Sequence, residues 1–167
     1  VYDLHAAGNQ IVAATDHGVS ICRFREGKKE IKVLNTTHGL ADNIVQTIGA
    51  DVAHKNKIWL GFQNGNAGIL DIVTHVYENV VQASDVAVAV LQVLPLDEQV
   101  WIVTENGVLR VDKQTASVVG QTALPSLTDV SKDAEGNVWL FAQSGLYRST
   151  GEQLQTLLRI PDEELNY

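Results

Sequence analysis

The side chains of this chain that could do chemistry are short polar groups lying between apolar segments, where turns are expected. Carboxylate, amide, hydroxyl and imidazole groups that converge on one face can bind a sugar or supply oxygen ligands to a cation. Asx residues are also the ordinary choice for tight turns, and this second explanation stays open beside the first. The candidate ligand-binding residues are Asp16, His17, His38, Asp42, Asn43, Asn64, Asn66, Glu105, Asn106 and Ser144.

Sequence motifs for catalysis, metal binding and cofactor binding are missing. The five histidines show no HxH or HExxH spacing, no CxxC pair occurs, and no GxSxG segment marks a nucleophilic serine. The segment 61–65 contains two glycines but lacks the Lys and Ser/Thr of a phosphate-binding loop. The sequence therefore predicts no cofactor and no metal site, and it places the adjacent Asp97 and Glu98 in a solvated loop.

Charge and hydropathy narrow the possible partners. The 167 residues carry a formal net charge of -8, and 45% of them are hydrophobic. Nucleic acids and anionic membranes bind cationic surfaces, so neither is expected as a partner. No segment approaches the run of about 18 apolar residues that a membrane helix needs, which predicts no direct membrane insertion. The single cysteine, Cys22, excludes an internal disulfide and is expected to be a buried, inert thiol.

A repeat of about forty residues must position the candidate groups. Three apolar segments contain a tryptophan and are each followed by a turn and a strand with a glycine near its start, and a copy without tryptophan begins the chain. The intervals between these glycines are 50, 39 and 38 residues. Such a period indicates a fold built from copies of one supersecondary unit. The glycines are Gly18, Gly68, Gly107 and Gly145.

Each copy of the repeat predicts four short antiparallel strands. In the last copy the strands are expected at 127–130, 138–142, 146–149 and 154–159, separated by turn residues. Four antiparallel strands in about forty residues form one blade of a β-propeller. We therefore predict one all-β domain over residues 1–167, a β-propeller-like array of about four four-stranded antiparallel blades. The array is either complete or a segment of a larger propeller, and its approximate blades are 1–34, 35–84, 85–122 and 123–160.

Two details of this array can be predicted further. Valines alternate with alanines between positions 86 and 90, so the segment 80–93 is expected to be a strand and not a helix. Only 161–167 could be helical, and a frayed terminus is the alternative there. The equivalent tryptophans Trp59, Trp101 and Trp139 are expected to fill the space between neighbouring blades, each burying about 150–250 Å².

The second and fourth copies resemble the two-component-regulator propeller repeat. In the second copy the resemblance covers 39–48, with its Gly-Leu start and Asn-x-Val centre, and 57–61, which reads Lys-Ile-Trp-Leu-Gly. In the fourth copy it covers 133–139, which reads Asp-Ala-Glu-Gly-Asn-Val-Trp. The departures are Val12 in place of tryptophan in the first copy, Phe62 and a three-residue insertion in the second, a missing turn glycine in the third, and Phe141 and Ala142 in the fourth.

This resemblance implies a periplasmic or extracellular module, often part of a membrane histidine kinase or a diguanylate cyclase. The leading hypothesis is a non-catalytic binding and sensing module whose partner is a small ligand, such as a carbohydrate, or a protein. The remainder of a longer sensor protein, or a second propeller chain, is a further expected partner. Two alternatives stay open. One is a propeller-fold lyase or hydrolase with a His or metal site, using His17 or His38, and the other is a structural scaffold within a larger or oligomeric propeller.

Overall fold

Short β-strands carry almost all of the chain. The computed structural model describes residues 1–51, 54–86, 88–150 and 153–160, and within these ranges sixteen strands form four four-stranded antiparallel sheets. In each sheet the strands follow chain order, so each strand hydrogen-bonds to its neighbours along the chain, and none of the four sheets is closed. This confirms the prediction of an all-β array of four-stranded blades. The sheets are called blades 1 to 4 below.

Strand lengths of five to eight residues are set by the spacing of the turns between them. Blade 1 contains β1–β4, blade 2 β5–β8, blade 3 β9–β12 and blade 4 β13–β16. In chain order the strands are β1 (Asp3–Ala7), β2 (Gln10–Thr15), β3 (Gly18–Arg25), β4 (Lys28–Leu34), β5 (Val45–Ala50), β6 (Lys57–Phe62), β7 (Ala67–Asp71), β8 (Tyr77–Val81), β9 (Val90–Pro95), β10 (Gln99–Thr104), β11 (Gly107–Asp112), β12 (Ser117–Ala123), β13 (Leu127–Lys132), β14 (Val138–Ala142), β15 (Gly145–Thr150) and β16 (Gln153–Arg159).

The meander gives every blade two different ends. The turns between second and third strands share one end with the connections between blades, and we call this the upper end. The turns between first and second strands share the lower end with those between third and fourth strands. Backbone and side-chain bonds agree with this division. At the upper end Asn64 donates to the Ala41 carbonyl, and at the lower end the Ile72 N–H donates to the Asn56 carbonyl.

Three apolar clusters, one at each joint between blades, form the core. Side chains alternate along each second strand, so in β6 Ile58 and Leu60 face blade 1 while Trp59 faces blade 3. In the same way Trp101 faces blade 4 and is only 1% exposed. Burial of one large apolar side chain stabilises a fold by roughly 1.5–3 kcal/mol. The blades are therefore held together mainly by side-chain packing at these joints.

Trp139 and Cys22 differ from their predicted environments. Trp59 and Trp101 lie in the joints between blades as predicted, but the equivalent Trp139 is half-buried. Trp139 lies on the face of blade 4 that has no other blade packed against it among the described residues. Cys22 is also half-buried and not fully buried, because it lies on the uncovered face of blade 1.

The glycine that begins the third strand is required by the fourth strand. Gly18, Gly107 and Gly145 have φ values of 107°, 136° and 147°, which L side chains rarely adopt. A Cβ at Gly145 would also lie 2.0 Å from the carbonyl oxygen of Leu158 on the neighbouring strand, and equivalent collisions occur at the other two positions. Close approach of the two strands therefore explains why glycine recurs at this place in three of the four copies.

A short helix, α1 (Ala83–Val86), contradicts the strand predicted for 80–93. Strand β8 ends at Val81 and β9 begins only at Val90. The Asp85 carboxylate accepts the backbone N–H of Gln82 at 3.0 Å, and such a local bond competes with strand pairing. The prediction for 161–167 lies outside the described residues. In the described ranges no helix is long and apolar enough to cross a membrane.

Candidate functional site

Asp16 and His17 lie at the upper end, in the turn between β2 and β3. The Asp16 Oδ1 and His17 Nδ1 atoms are 2.8 Å apart, and both side chains are exposed. The hydrogen bond to His17 lowers the pKa of the Asp16 carboxyl below its ordinary value. The Thr15 hydroxyl accepts the N–H of His17 and closes the turn. These two candidates therefore bond to each other within one turn.

His38, Asp42 and Asn43 lie in the connection between blades 1 and 2. A 3-10 turn at Thr36–His38 is capped by Asn35, whose Oδ1 lies 2.8 Å from His38 Nδ1. Asn43 Oδ1 accepts the N–H of Thr36 at 3.1 Å, which ties the two ends of the connection together. Asp42 accepts the backbone N–H groups of the two residues that follow it. All three side chains thus stabilise the path of this connection.

Asn64 and Asn66 belong to the turn between β6 and β7. The side-chain amide of Asn64 donates to the carbonyl of Ala41, so the structure brings this turn against the connection that holds Asp42. Asn66 Oδ1 accepts the Asn79 side-chain amide at 3.1 Å and the N–H of Ala83 at 3.2 Å. Both asparagines therefore join an upper turn to a neighbouring segment.

Glu105, Asn106 and Ser144 complete the upper end in blades 3 and 4. The backbone carbonyl of Asn106 accepts the N–H of Leu124 in the connection between these blades, and that of Glu105 accepts the N–H of Leu127 at the start of β13. Ser144 Oγ lies 2.9 Å from the hydroxyl of Tyr147. Ligand binding by the ten upper-end candidates stays a prediction, and their hydrogen bonds account for most of them as turn-forming residues. Within the described ranges no group of three or more His, Cys, Asp or Glu side chains could hold a metal ion.

The lower end contains a buried ion pair that the sequence did not predict. Asp51 follows β5 of blade 2, and Lys113 follows β11 of blade 3. Asp51 Oδ2 lies 3.1 Å from Lys113 Nζ and 3.1 Å from His54 Nδ1. The Asp51 and Lys113 side chains are only 6% and 11% exposed. A cavity of about 70 Å³ beside this pair is also lined by Lys57, Trp59 and Ile69.

A larger cleft opens at the lower end between blades 1 and 2. Its volume is about 510 Å³, which is within the range of about 300–1,000 Å³ that is usual for ligand sites. Blade 1 contributes the turn between β1 and β2, and blade 2 contributes the residues leading into β6. The polar residues that line the cleft are His5, Gln10, Asp51, Lys55, Asn56 and Lys57.

The joint between blades 3 and 4 has a cleft whose charged lining residues are both acidic, whereas the cleft between blades 1 and 2 is lined by two lysines and one aspartate. It encloses about 240 Å³, and its wall includes Trp101 and Ser149. Asp97 and Glu98 also line it and are exposed, in agreement with the solvated loop expected from the sequence. The two lower clefts therefore differ in their lining charges although they occupy equivalent joints.

Asp133 of blade 4 occupies the same repeat position as Asp51, directly after the first strand. It accepts the indole N–H of Trp139 at 2.9 Å and the side-chain amide of Asn137 at 2.8 Å. These bonds, first from Trp139 and then from Asn137, lower the pKa of Asp133 to about 2. The guanidinium carbon of Arg148 lies 5.2 Å from the centre of the Trp139 ring, on the uncovered face of blade 4. Arg148 therefore partly covers Trp139, whereas the equivalent Trp59 and Trp101 are covered by a neighbouring blade.

The two outer faces of the array are apolar. Ile11 on the outer face of blade 1 is 39% exposed, whereas its repeat equivalents Ile58, Val100 and Val138 are at most 1% exposed. Phe141 on the outer face of blade 4 is 47% exposed. The other exposed apolar side chains of the two faces are Leu4, Phe24, Ile31 and Val33 in blade 1 and Leu158 in blade 4.

Comparisons with known proteins find similarity in structure alone. No family model matches the chain, and no curated protein sequence matches it. An extracellular domain described as part of a hybrid two-component system of B. thetaiotaomicron shares 19% identity and a TM-score of 0.75 over 96% of this chain. PorZ, a surface component of the type-IX secretion system of Porphyromonas gingivalis, shares 15% identity and a TM-score of 0.71 over 94% of this chain.

BamB from Moraxella catarrhalis is a third similar structure, with 16% identity and a TM-score of 0.62 over 87% of this chain. These likenesses establish the propeller fold, and the extracellular two-component domains among them agree with the repeat resemblance noted in the sequence. The chain spans 22% of the length of the first two similar structures and 44% of the third.

Proposed function

We propose that this chain is a non-catalytic binding and sensing module that acts in the periplasm or outside the cell and recognises a small ligand or a protein partner. The observation that carries the proposal is the cleft of about 510 Å³ between blades 1 and 2. The two blades that form it are joined by a continuous apolar cluster, so the cleft is held by a packed framework. The likeness to extracellular domains of two-component systems supports the proposed location and the sensing role.

The catalytic alternative depends on His17 or His38, and no specific observation favours it. His17 is bonded to Asp16, and His38 is bonded to Asn35 within its own capped turn. Neither histidine lines any of the three lower-end cavities. A general base has to reach the proton that it removes from a bound substrate, which requires a place for that substrate beside it.

Binding of neutral and acidic oligosaccharides by the purified chain, measured by calorimetry and by thermal denaturation, tests the module proposal. A bound ligand should raise the melting temperature, because it stabilises the folded state in proportion to its occupancy. The saccharides should be recovered intact. Turnover that is lost in both H17A and H38A would support the catalytic alternative and contradict the proposal.

We further propose that the two outer faces are covered by additional blades of the same repeat in a larger propeller. In the joints of the array, one face of each blade presents residues equivalent to Ile11, and the opposite face presents residues equivalent to Trp139. The exposed outer faces of blades 1 and 4 are therefore the two complementary halves of such a joint. Uncovered apolar surface of this kind is typical of interaction sites.

Light scattering of the 18.2 kDa chain tests the coverage of these faces. The isolated chain should self-associate, since blade 4 of one copy can pack on blade 1 of another. I11K and F141K should each reduce association, whereas K28Q, an exposed change at the first residue of β4, should not. A monomer that binds no hydrophobic dye would contradict the proposal.

A further inference from the structure

We propose that the cleft between blades 1 and 2 binds a small hydroxylated anion, with Lys55 and Lys57 contacting its charged group. This inference rests on the proposed binding function and specifies its site and ligand class. Both lysines line the cleft, and both are exposed at its wall. Among the described residues neither of them forms an ion pair.

Asp51, the carboxylate that lines the cleft, is already paired with a cation from blade 3. Asp51 Oδ2 accepts Lys113 Nζ and lies beside His54, each at 3.1 Å. A ligand cation would have to compete with Lys113, whose side chain is almost completely buried against Asp51. Lys55 and Lys57, in contrast, are exposed side chains that line this cleft, and Lys57, which begins β6 on the Trp59 side of the strand, also lines the neighbouring cavity of about 70 Å³. The local charge therefore selects an anion although the whole chain is acidic.

The carboxylate of Asp71, which pairs in register with Lys57, is engaged by hydrogen bonds within the turn that follows β7. Its Oδ1 accepts the N–H groups of Val73 and Thr74, each at 2.8 Å. The pKa of Asp71 is lowered mainly by the bond to Thr74 and least by the charge of Lys57. Asp71 therefore serves mainly to hold the turn after β7.

Neutral hydrogen-bonding groups in the cleft suit hydroxyl groups. Gln10 Oε1 accepts Arg23 Nε at 3.2 Å, which directs the oxygen toward Arg23 and leaves the amide N–H groups as donors. Arg23 is itself fixed by a 2.5 Å bond to the carbonyl of Ile72, so this side of the wall spans both blades. Asn56 and the half-buried His5 complete the polar lining. A few such polar groups can orient a ligand whose charged group is bound by the lysines.

Nuclear magnetic resonance titrations of the ¹⁵N-labelled chain test this assignment. The probes are glucuronate, glucose 6-phosphate and glucose, which separate a carboxylate from a phosphate and either anion from the neutral sugar. At least one anion should bind at least about tenfold more tightly than glucose. Its shifts should centre on residues 5–10 and 54–58, and its binding should weaken as salt is raised.

Matched lysine variants complete the design. K55Q/K57Q should weaken anion binding by about tenfold or more, whereas K28Q/K29Q, in exposed positions of β4 near the same lower end, should leave it unchanged. Circular dichroism checks that both variants fold. Equal binding of glucose and the anions, or an unchanged affinity in K55Q/K57Q, would overturn the charge assignment. Shifts confined to the upper-end turns, or no binding of either anion, would overturn the site, and oligosaccharide binding by calorimetry would still decide the broader function.

Discussion

Asp51 of blade 2 and Lys113 of blade 3 form an ion pair across the joint between the blades, with Oδ2 and Nζ 3.1 Å apart. The two residues are 62 positions apart in the chain, and both side chains are nearly excluded from water. A charge in such a place depends on its partner, because removal of one member leaves the other uncompensated. The pair therefore fixes the relative position of two blades that share no strand pairing.

Replacement of Lys113 by methionine should lower the free energy of unfolding by about 3 kcal/mol, since it leaves the Asp51 carboxylate buried without its cation. The exposed control K28M should change stability by less than about 0.5 kcal/mol. Urea denaturation of K113M, D51N and the double variant gives the coupling energy between the two residues. Additive effects in this cycle would show that the pair contributes nothing specific.

The pKa of Asp133, lowered to about 2, predicts a loss of stability in acid. The folded value lies below the ordinary value of 3.8, so the Asp133 bonds contribute stability above pH 3.8 that is lost as pH falls from 3.8 toward 2. In D133N this contribution should be absent at every pH, and its stability should converge with that of the wild type only below pH 2, where Asp133 is protonated in the folded state as well.

Nuclear magnetic resonance titration of the Asp133 carboxyl provides a direct measurement. In W139F the indole donor is removed, so the pKa of Asp133 should rise toward 3.8. The Asp112 carboxyl, whose pKa is lowered by the bond to Thr115, serves as the internal control and should not move. If Asp133 titrates identically in W139F and the wild type, the indole bond does not lower its pKa.

Substitution of Gly145 by alanine should destabilise blade 4 more than substitution of Gly136. Both glycines have positive φ, which costs an alanine about 1–2 kcal/mol. At Gly145 the new Cβ would also approach the Leu158 carbonyl oxygen to 2.0 Å, whereas at Gly136 its nearest neighbour is Lys132 Cε at 3.9 Å. Thermal denaturation should therefore give a melting temperature for G145A well below that of G136A, and equal values would contradict the steric account.

The equivalent tryptophans should differ in their contribution to stability. W101A removes a side chain that is 1% exposed and should cost about 3–5 kcal/mol. W139A removes a half-buried ring and should cost about 1–2 kcal/mol in the isolated chain. If the outer face of blade 4 is covered in a longer protein, the loss caused by W139A should approach that of W101A there. Equal losses in the isolated chain would contradict the burial difference.

The sequence was sufficient to predict the blades because each blade is formed by contacts that are local in the chain. The recurrence of Gly18, Gly107 and Gly145 reflects a steric demand between adjacent strands, and a repeat records such a demand directly. The short helix at Ala83–Val86 was missed because the prediction relied on the valine–alanine alternation and did not anticipate the hydrogen bond from the Gln82 N–H to Asp85. Local patterns therefore predicted the strands better than the connections between them.

The lower-end cleft could not be predicted in the same way. Its lining combines His5 and Gln10 with Lys55 and Lys57, and the sequence contains no signal that these distant segments meet. The upper-end candidates were found because Asn and Asp mark turns, and most of them form the turn bonds that such residues usually make. A shared role for Asp after the first strand could have been suspected from Asp51 and Asp133, since they occupy the same position in two copies.

Every hydrogen-bonded ladder in the described chain begins and ends within one meander of four consecutive strands. A duplication of one such stretch of the gene would thus insert a whole unit without breaking any ladder. The inserted blade would need only an apolar face on each side and a connecting loop of suitable length. The array could accordingly be lengthened or shortened by whole blades, while a single joint, such as the one bridged by Asp51 and Lys113, carries charges of its own.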